Sequence, residues 1–269
     1  MTLENHNPWA MYDALIDGIP EDIRVLDYGL GLHWTYVTAE CGCGVAWTMK
    51  GGYTCKSASR KDKREMTLKE MAALVKSWRF EDATLGVAAM NAWYSRRELL
   101  DPLGAVYEEP RKLERSERKR ESFSEFKPLM EGKKVTVIGH FPHVYDLANS
   151  CEKLTVLERM PSGEDLPDSA CEYILPEQDM TFITGTSTTN KTLPRLLSLT
   201  QPGLTILTGP SVVMSDKLFD FGADVLAGST VNDPELTAFC CRNGNGQLFG
   251  EALQMMRIIK PGLTLDLAD

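Results

Sequence analysis

The side chains on which chemistry could be built fall in four places, each directly after a short β-rich run. Lys133-Lys-Val-Thr-Val-Ile-Gly139 leads into His140-Phe-Pro-His143, and Leu154-Thr-Val-Leu157 leads into Glu158. Met180-Thr-Phe-Ile-Thr184 leads into Gly185-Thr-Ser-Thr-Thr-Asn190, and Leu204-Thr-Ile-Leu-Thr208 into Gly209-Pro-Ser211. Open parallel sheets bind ligands in the crevice beyond the carboxyl ends of their strands, so the four places converge if these runs are parallel. His140 is a candidate proton carrier, because imidazole titrates near neutral pH. Glu158 stands 19 residues beyond Gly139, near the spacing at which dinucleotide folds hydrogen-bond a ribose. His140 and Glu158 are therefore the catalytic candidates. The expected ligand contacts are Gly139, Phe141, Pro142, Thr184, Gly185, Thr186, Ser187, Asn190, Gly209, Pro210 and Ser211.

Each feature has a plainer alternative. No Gly-x-Gly-x-x-Gly is present. Phe141 and Pro142 add bulk and remove a backbone N–H where a pyrophosphate would need close approach. A full NAD-type site is not expected; the cofactor stays unknown, with an adenosyl-type ligand left open. Glu158 could instead cap or pair at a strand end. The 185–190 loop offers hydroxyl or amide side chains at five of six positions, which suits a carboxylate or phosphate at a helix start. N-capping by Thr189 or Asn190 would need only one of them. Asn91 lies in an otherwise apolar helical run, so its amide needs partners, either backbone groups or a ligand at a domain interface.

Cys41-x-Cys43, His140-x-x-His143 and Cys240-Cys241 do not match a zinc-ligand spacing, and no metal site is expected. Cys41 and Cys43 read as small thiols at a hairpin turn beside Gly42 and Gly44. The basic run Arg60-Lys-Asp-Lys-Arg64 reads as a solvated loop. Neither a Gly-x-Ser-x-Gly nor a phosphate-loop motif occurs.

The elements that must position these groups form two domains. Residues 1–108 read as α+β: a helix over 8–16, a three-stranded antiparallel meander over 23–49, and two more helices. The first of these opens on the capping box Thr67-Leu-Lys-Glu70; the second, about 85–100, is apolar nearly all round and should be the most buried. Residues 108–121 hold six basic and five acidic residues, a solvated helix or linker, and a charged linker or helix is expected over 109–130. In 131–269 short strands alternate with helical patterns, which implies βαβ units and a Rossmann-like open parallel sheet. The first domain should roof the strand-end crevice, with the Gly29-Leu-Gly-Leu-His33 turn contributing.

Composition narrows the partners. The 269 residues carry 29 Lys+Arg against 38 Asp+Glu, a net charge of −9, which argues against nucleic acid or an anionic membrane surface. No apolar run approaches the ~20 residues of a bilayer span, and Met1-to-Trp9 lacks the order of a signal peptide. The seven cysteines are scattered, and adjacent Cys240 and Cys241 are poorly placed to bridge each other. A cytoplasmic chain with a small-molecule partner is expected, and a homodimer is left open.

An ordered series of stretches resembles a prokaryotic family labelled "putative heavy-metal chelation". It runs Val135-Thr-Val-Ile-Gly-His-Phe-Pro142, Leu157-Glu-Arg-Met-Pro161, Pro167-Asp-Ser-Ala-Cys-Glu-Tyr-Ile-Leu-Pro176, Ile183-Thr-Gly-Thr-Ser187, Asn190-Lys-Thr-Leu193, Leu207-Thr-Gly-Pro-Ser211 and Leu226-Ala-Gly228. Gly44-Val-Ala-Trp-Thr48 and Leu85-Gly-Val-Ala-Ala-Met-Asn-Ala92 extend it more weakly to the first domain. The resemblance implies an enolase-N-terminal-like α+β domain joined to a Rossmann-like domain partly similar to methyltransferases. It also implies a site between the two and a role with metal-chelating, siderophore-, pterin- or flavin-like compounds. Cys41, Cys43, Cys240 and Cys241 fall outside its motifs. Two readings follow: an enzyme processing a small molecule at the domain interface, or a non-catalytic binder of a metal or metal-chelate complex.

Overall fold

The computed structural model describes residues 7–52, 62–108, 123–244 and 248–268. In the first domain, α1 (Ala10–Asp17) buries Met11, Tyr12, Leu15 and Ile16 on one face. The meander follows as β1 (Val25–Leu30), β2 (Trp34–Ala39) and β3 (Gly42–Trp47), antiparallel and in that order. Helix α2 (Leu68–Ala73) starts on the complete Thr67/Glu70 capping box, but Trp78 falls beyond it and is exposed. Helix α3 (Phe80–Tyr94) starts five residues before the expected Leu85, because Ala83 and Thr84 are also buried and Glu81 and Asp82 favour its amino end. It stops at Ser95, and α4 (Arg97–Leu100) is a separate turn.

Helix α3 lies directly on β3. A Cβ on Gly44 would sit 2.1 Å from the Ala92 backbone nitrogen and 2.3 Å from the Ala88 oxygen. Only glycine lets strand and helix approach so closely. The helix is enclosed by the meander on one side, by α2 and the following turn where Gly86 meets Val75 on another, and by residues of the second domain, which is why it is apolar all round.

The second domain is a sheet of order β4-β11-β10-β9-β8-β5-β6-β7. Its parallel members are β5 (Lys134–Ile138), β6 (Lys153–Glu158), β7 (Leu166–Pro167), β8 (Met180–Thr184), β9 (Leu204–Thr208) and β10 (Val225–Val231). β11 (Leu253–Ile259) and β4 (Val106–Tyr107) close one edge antiparallel. Two boundaries thus differ from expectation. β4 lies before residue 109 yet pairs with the second sheet, and residues 123–130, expected as charged linker or helix, form helical turns that pack on that sheet instead of being solvated. Phe123, Phe126 and Met130, with α5 (Lys127–Met130), are buried against that sheet; the rest of the proposed linker, 109–122, lies outside the described residues, as do Cys55, Arg60 and Lys61.

Side-chain alternation divides the sheet's two faces between two cores. Val135, Val137, Val156, Phe182 and Ile206 pack with Phe123, Phe126 and Met130. Ile138, Leu157, Ile183, Leu207 and Leu226 face the opposite way, into a core shared with α8 (Leu193–Leu199) and with Tyr12, Leu15, Leu85 and Met90 of the first domain. Hydrogen bonds cross the same boundary: Tyr12 Oη donates to Thr188 O (3.2 Å) and Thr230 Oγ1 to Ser95 O (2.7 Å). Helix α10 (Pro234–Asn243) rests on the meander and buries Cys240 and Cys241 beside Tyr36, Cys43 and Val45. Among the described residues no helix is long and apolar enough to cross a membrane.

The Gly44 contact yields a direct test. Gly44→Ala is expected to destabilise the chain by on the order of 3 kcal/mol, because the added methyl meets backbone and not a flexible side chain. Urea unfolding of the two proteins measures it; a change within 0.5 kcal/mol of zero, the scale of a neutral surface substitution, would contradict the packing.

Candidate functional site

Strands run outward from β5 in one direction through β6 and β7, and from β8 in the other through β9 and β10. The order therefore reverses between β5 and β8, where an open α/β sheet leaves a crevice. Backbone N–H groups of Gly139, Gly185 and Gly209 each extend the parallel ladder by one bond, to Leu157 O, Thr208 O and Ala227 O. The chain then turns away, with Gly139 at φ +104° and Gly209 at φ +101°, backbone that favours glycine. Gly185 is required for a different reason: a Cβ there would lie 2.4 Å from Val212 N.

Above these turns opens a cleft of about 2250 Å3 between the domains. Residues 139–142, 158, 184–187, 190 and 209–211 all line it, and from the first domain so do His33, Trp34, Trp47, Thr48 and Phe80. One expected contact is not there. Asn91 is buried inside its own domain, with Nδ2 donating to Val45 O (3.0 Å) and Oδ1 accepting from Ser95 Oγ (3.4 Å). Its amide is satisfied by strand and helix, so a ligand is not needed to explain it.

His140 is held by a group that spacing did not single out. Its Nδ1 lies 2.9 Å from Asp165 Oδ2, and the Asp165 side chain is fully enclosed while the imidazole is 42% exposed. Asp165 also accepts from Tyr145 Oη (2.6 Å) and from the Ser162 backbone N–H (2.9 Å). Burial opposes the charge on Asp165, but hydrogen bonds from Tyr145, Ser162 and His140 outweigh it and hold the carboxyl below its ordinary range. Burial and the Asp165 charge push the Tyr145 hydroxyl up to about 12, so it stays a donor. One ring nitrogen of His140 is thus committed to a buried carboxylate. The other is left for the cleft, as in histidines that move protons in catalysis.

Glu158 accepts three backbone N–H bonds, from His140 (2.9 Å, on Oε2) and from Arg159 and Met160 (2.7 and 3.3 Å, on Oε1). It ties the β5 and β6 turns together. A carboxylate offers about four acceptor positions, so one on Oε2 remains for a ligand hydroxyl.

In the 185–190 loop several polar groups turn inward. Thr184 Oγ1 and Thr186 Oγ1 are 3.1 Å apart, Ser187 Oγ donates to Thr184 O, and Asn190 Oδ1 accepts from Thr192 N (3.0 Å) and Thr192 Oγ1 (2.6 Å). The next residue, Lys191, is the charged group that sequence reading passed over. Its backbone is left-handed (φ +67°), rare for a residue with a Cβ. Its ammonium donates to Ser77 O of the first domain and to Thr189 O (2.9 Å), with the Trp78 and Phe80 rings 5.4 and 5.5 Å away. Burial pushes this amine down to about 8. Among the described residues no carboxylate pairs with it, whereas the cleft's Arg159 and Arg195 meet Asp168 and Glu172.

Among the described residues the cysteines are free thiols. Burial pushes Cys43 and Cys241 up to about 12, so both are neutral thiols at physiological pH. Among the described residues no group of three or more His, Cys, Asp or Glu side chains is placed to hold a metal ion.

Two family models, both described as "Putative heavy-metal chelation", match residues 12–94 and 122–257. The chain belongs to that family. An uncharacterized protein of Methanocaldococcus jannaschii is 30% identical over 228 residues, which is 79% of this chain and 81% of that one. A crystal structure from Desulfitobacterium hafniense, of unknown function, is 31% identical with a TM-score of 0.77, covering 96% of this chain and all (100%) of that one. A Pyrococcus horikoshii family member of unknown function has the same fold at 22% identity, with a TM-score of 0.71 over 93% of this chain and 98% of its own.

The Asp165 network gives the second test. Its carboxyl lies below the unfolded value of ~3.9, so the ionised group stabilises the fold above that pH, and the contribution is lost as pH falls through the folded value. Asp165→Asn should therefore cost ~1–3 kcal/mol near neutrality, the scale of a broken buried hydrogen-bond set. The gap to the parent chain should narrow below pH ~4. Urea unfolding at both pH values measures it, and a gap that widens in acid would contradict the assignment.

Proposed function

We propose that this protein binds a small acidic molecule in the interdomain cleft and moves a proton on it through His140. The observation that carries this reading is the His140–Asp165 pair at the crevice between β5 and β8. An enclosed carboxylate that fixes one imidazole nitrogen leaves the other oriented, an arrangement a passive binding surface does not need. Lys191 supplies the positive charge for the ligand's acidic group, beside the hydroxyls of Thr186 and Ser187. Glu158 takes a ligand hydroxyl on its remaining acceptor position. The family description fits an acidic ligand, since metal-chelating compounds are rich in carboxylate and hydroxyl oxygens.

The reading predicts a specific pH response. Lys191 is protonated below about 8 and neutral above it, so affinity for an anion should weaken as pH rises from 7 to 9. A bound anion raises the amine's pKa and moves that fall upward. Calorimetric titration of the full chain with citrate is expected to show this loss, and Lys191→Met to abolish both the tight binding and its pH dependence. Native mass spectrometry of the chain purified without dialysis should show a small-molecule adduct that survives His140→Gln but not Lys191→Met. No adduct and no citrate binding at neutral pH would overturn the reading. One metal ion per chain by elemental analysis would instead favour a non-catalytic metal binder.

A further inference from the structure

The cleft is larger than one ligand requires. Its volume of about 2250 Å3 exceeds the ~300–1,000 Å3 of an ordinary small-molecule pocket. His140, Glu158 and Lys191 belong to the turns after β5, β6 and β8. The Gly209-Pro-Ser211 turn follows β9, three strands from β6 and so ~14 Å from Glu158 at the usual strand spacing. That end is remote from Glu158 but adjoins the 185–190 loop, where a Cβ on Gly185 would lie 2.5 Å from the Ser211 carbonyl carbon, and it adds an aromatic surface. There the meander presents Trp47, the last residue of β3 and 41% exposed, where the three residues before it are buried.

The Trp47 indole is held in place by its neighbours. Trp34 packs edge-on against it at 5.2 Å and 89°, and His33 lies beside it at 5.5 Å and 31°. Phe249 in turn meets Trp34 at 5.7 Å and 76°. The backbone N–H of Trp47 donates to Ser211 Oγ (2.8 Å), which fixes the residue directly over the strand-end turn. All four rings line the cleft. A part-exposed indole held by neighbouring rings at the wall of a cleft offers a stacking surface that needs little further ordering.

We propose that this end of the cleft is a second subsite, which stacks a planar aromatic or heteroaromatic group on Trp47. The proposal rests on the reading of the cleft as a small-molecule site, but not on its acid-binding end. The planar group belongs either to a long ligand that also reaches Lys191 or to a second reactant.

A neutral probe separates the two ends. The full chain, with 15N-labelled tryptophan, is titrated with 2-naphthamide and with its saturated decahydro analogue. The indole N–H signals of Trp47 and Trp34 should shift with 2-naphthamide, while those of Trp9, Trp78 and Trp93 stay in place. The saturated analogue should bind about tenfold more weakly, and Trp47→Leu should lose about tenfold in affinity while Trp47→Phe stays within about threefold. Because the Ser211 bond uses the Trp47 backbone, these variants keep the domain contact, and the remaining indole signals report that they are folded. Equal affinity for the saturated analogue, no binding of 2-naphthamide, or an unchanged Trp47→Leu would overturn the proposal. Citrate binding is read in the same samples. Loss of naphthamide binding alone refutes only this subsite, whereas loss of citrate binding alone refutes the acid site and leaves the aromatic one standing.

Discussion

A parallel sheet has two apolar faces, and both must be covered. Here one face is covered conventionally, by Phe123, Phe126, Met130 and the turn around Val144 and Leu147. The other carries Ile138, Leu157, Ile183, Leu207 and Leu226, and the first domain supplies a large part of its cover. Burying those side chains against Tyr12, Leu15, Leu85 and Met90 brings the meander to the carboxyl ends of the strands. The cleft lies beside that shared core, between the meander's Trp47 end and the glycine turns after the strands. The two domains thus share one core, and polar contacts such as Trp47 N to Ser211 Oγ link them further.

Polar groups at the cleft are arranged in two ways. Some are saturated, Asn190 Oδ1 by Thr192 and Arg195 by Glu172, whereas Glu158 keeps one acceptor position beside its three backbone N–H bonds. Saturated groups stiffen the turns that carry them and have little left to offer a ligand. His140 and Lys191 differ. His140 has one ring nitrogen committed and one spare. Among the described residues the charge of Lys191 meets neutral carbonyls and aromatic faces, and its lowered pKa is the cost of that part-burial. A fold that leaves a cation so poorly paired, on a left-handed backbone, spends stability at that position.

The same contrast runs through the cysteines. Cys240-Cys241 and Cys41-x-Cys43 look alike on paper, as close-spaced thiols. In the fold Cys43, Cys240 and Cys241 fill a small apolar core between α10 and the meander, and Cys41 is half-buried near Arg96. Burial pushes all four thiols up, and Cys43, Cys240 and Cys241 serve as apolar packing in the fold.

Local pattern alone determined a good deal. Strand runs in residues 134–208, the meander's glycine interruptions, the Thr67 capping box and the apolar helix around Asn91 are short-range features, and each formed within a few residues of its expected bounds. The strand-end rule then grouped Gly139, His140, Glu158, Thr184 and Gly209, because a parallel sheet leaves its carboxyl ends on one edge. What the tertiary structure decided is everything that depends on partners distant in the chain. Asp165 meets His140 from 25 residues away, on the far side of β6, and Lys191 meets Ser77 across 114. Asn91 is satisfied by Val45, 46 residues away. β4 and β11 pair across the stretch expected to separate the domains. These contacts carry no sequence period, since their register is set by which apolar faces pack together, and only that packing determines which polar groups are paired and which are left for a ligand.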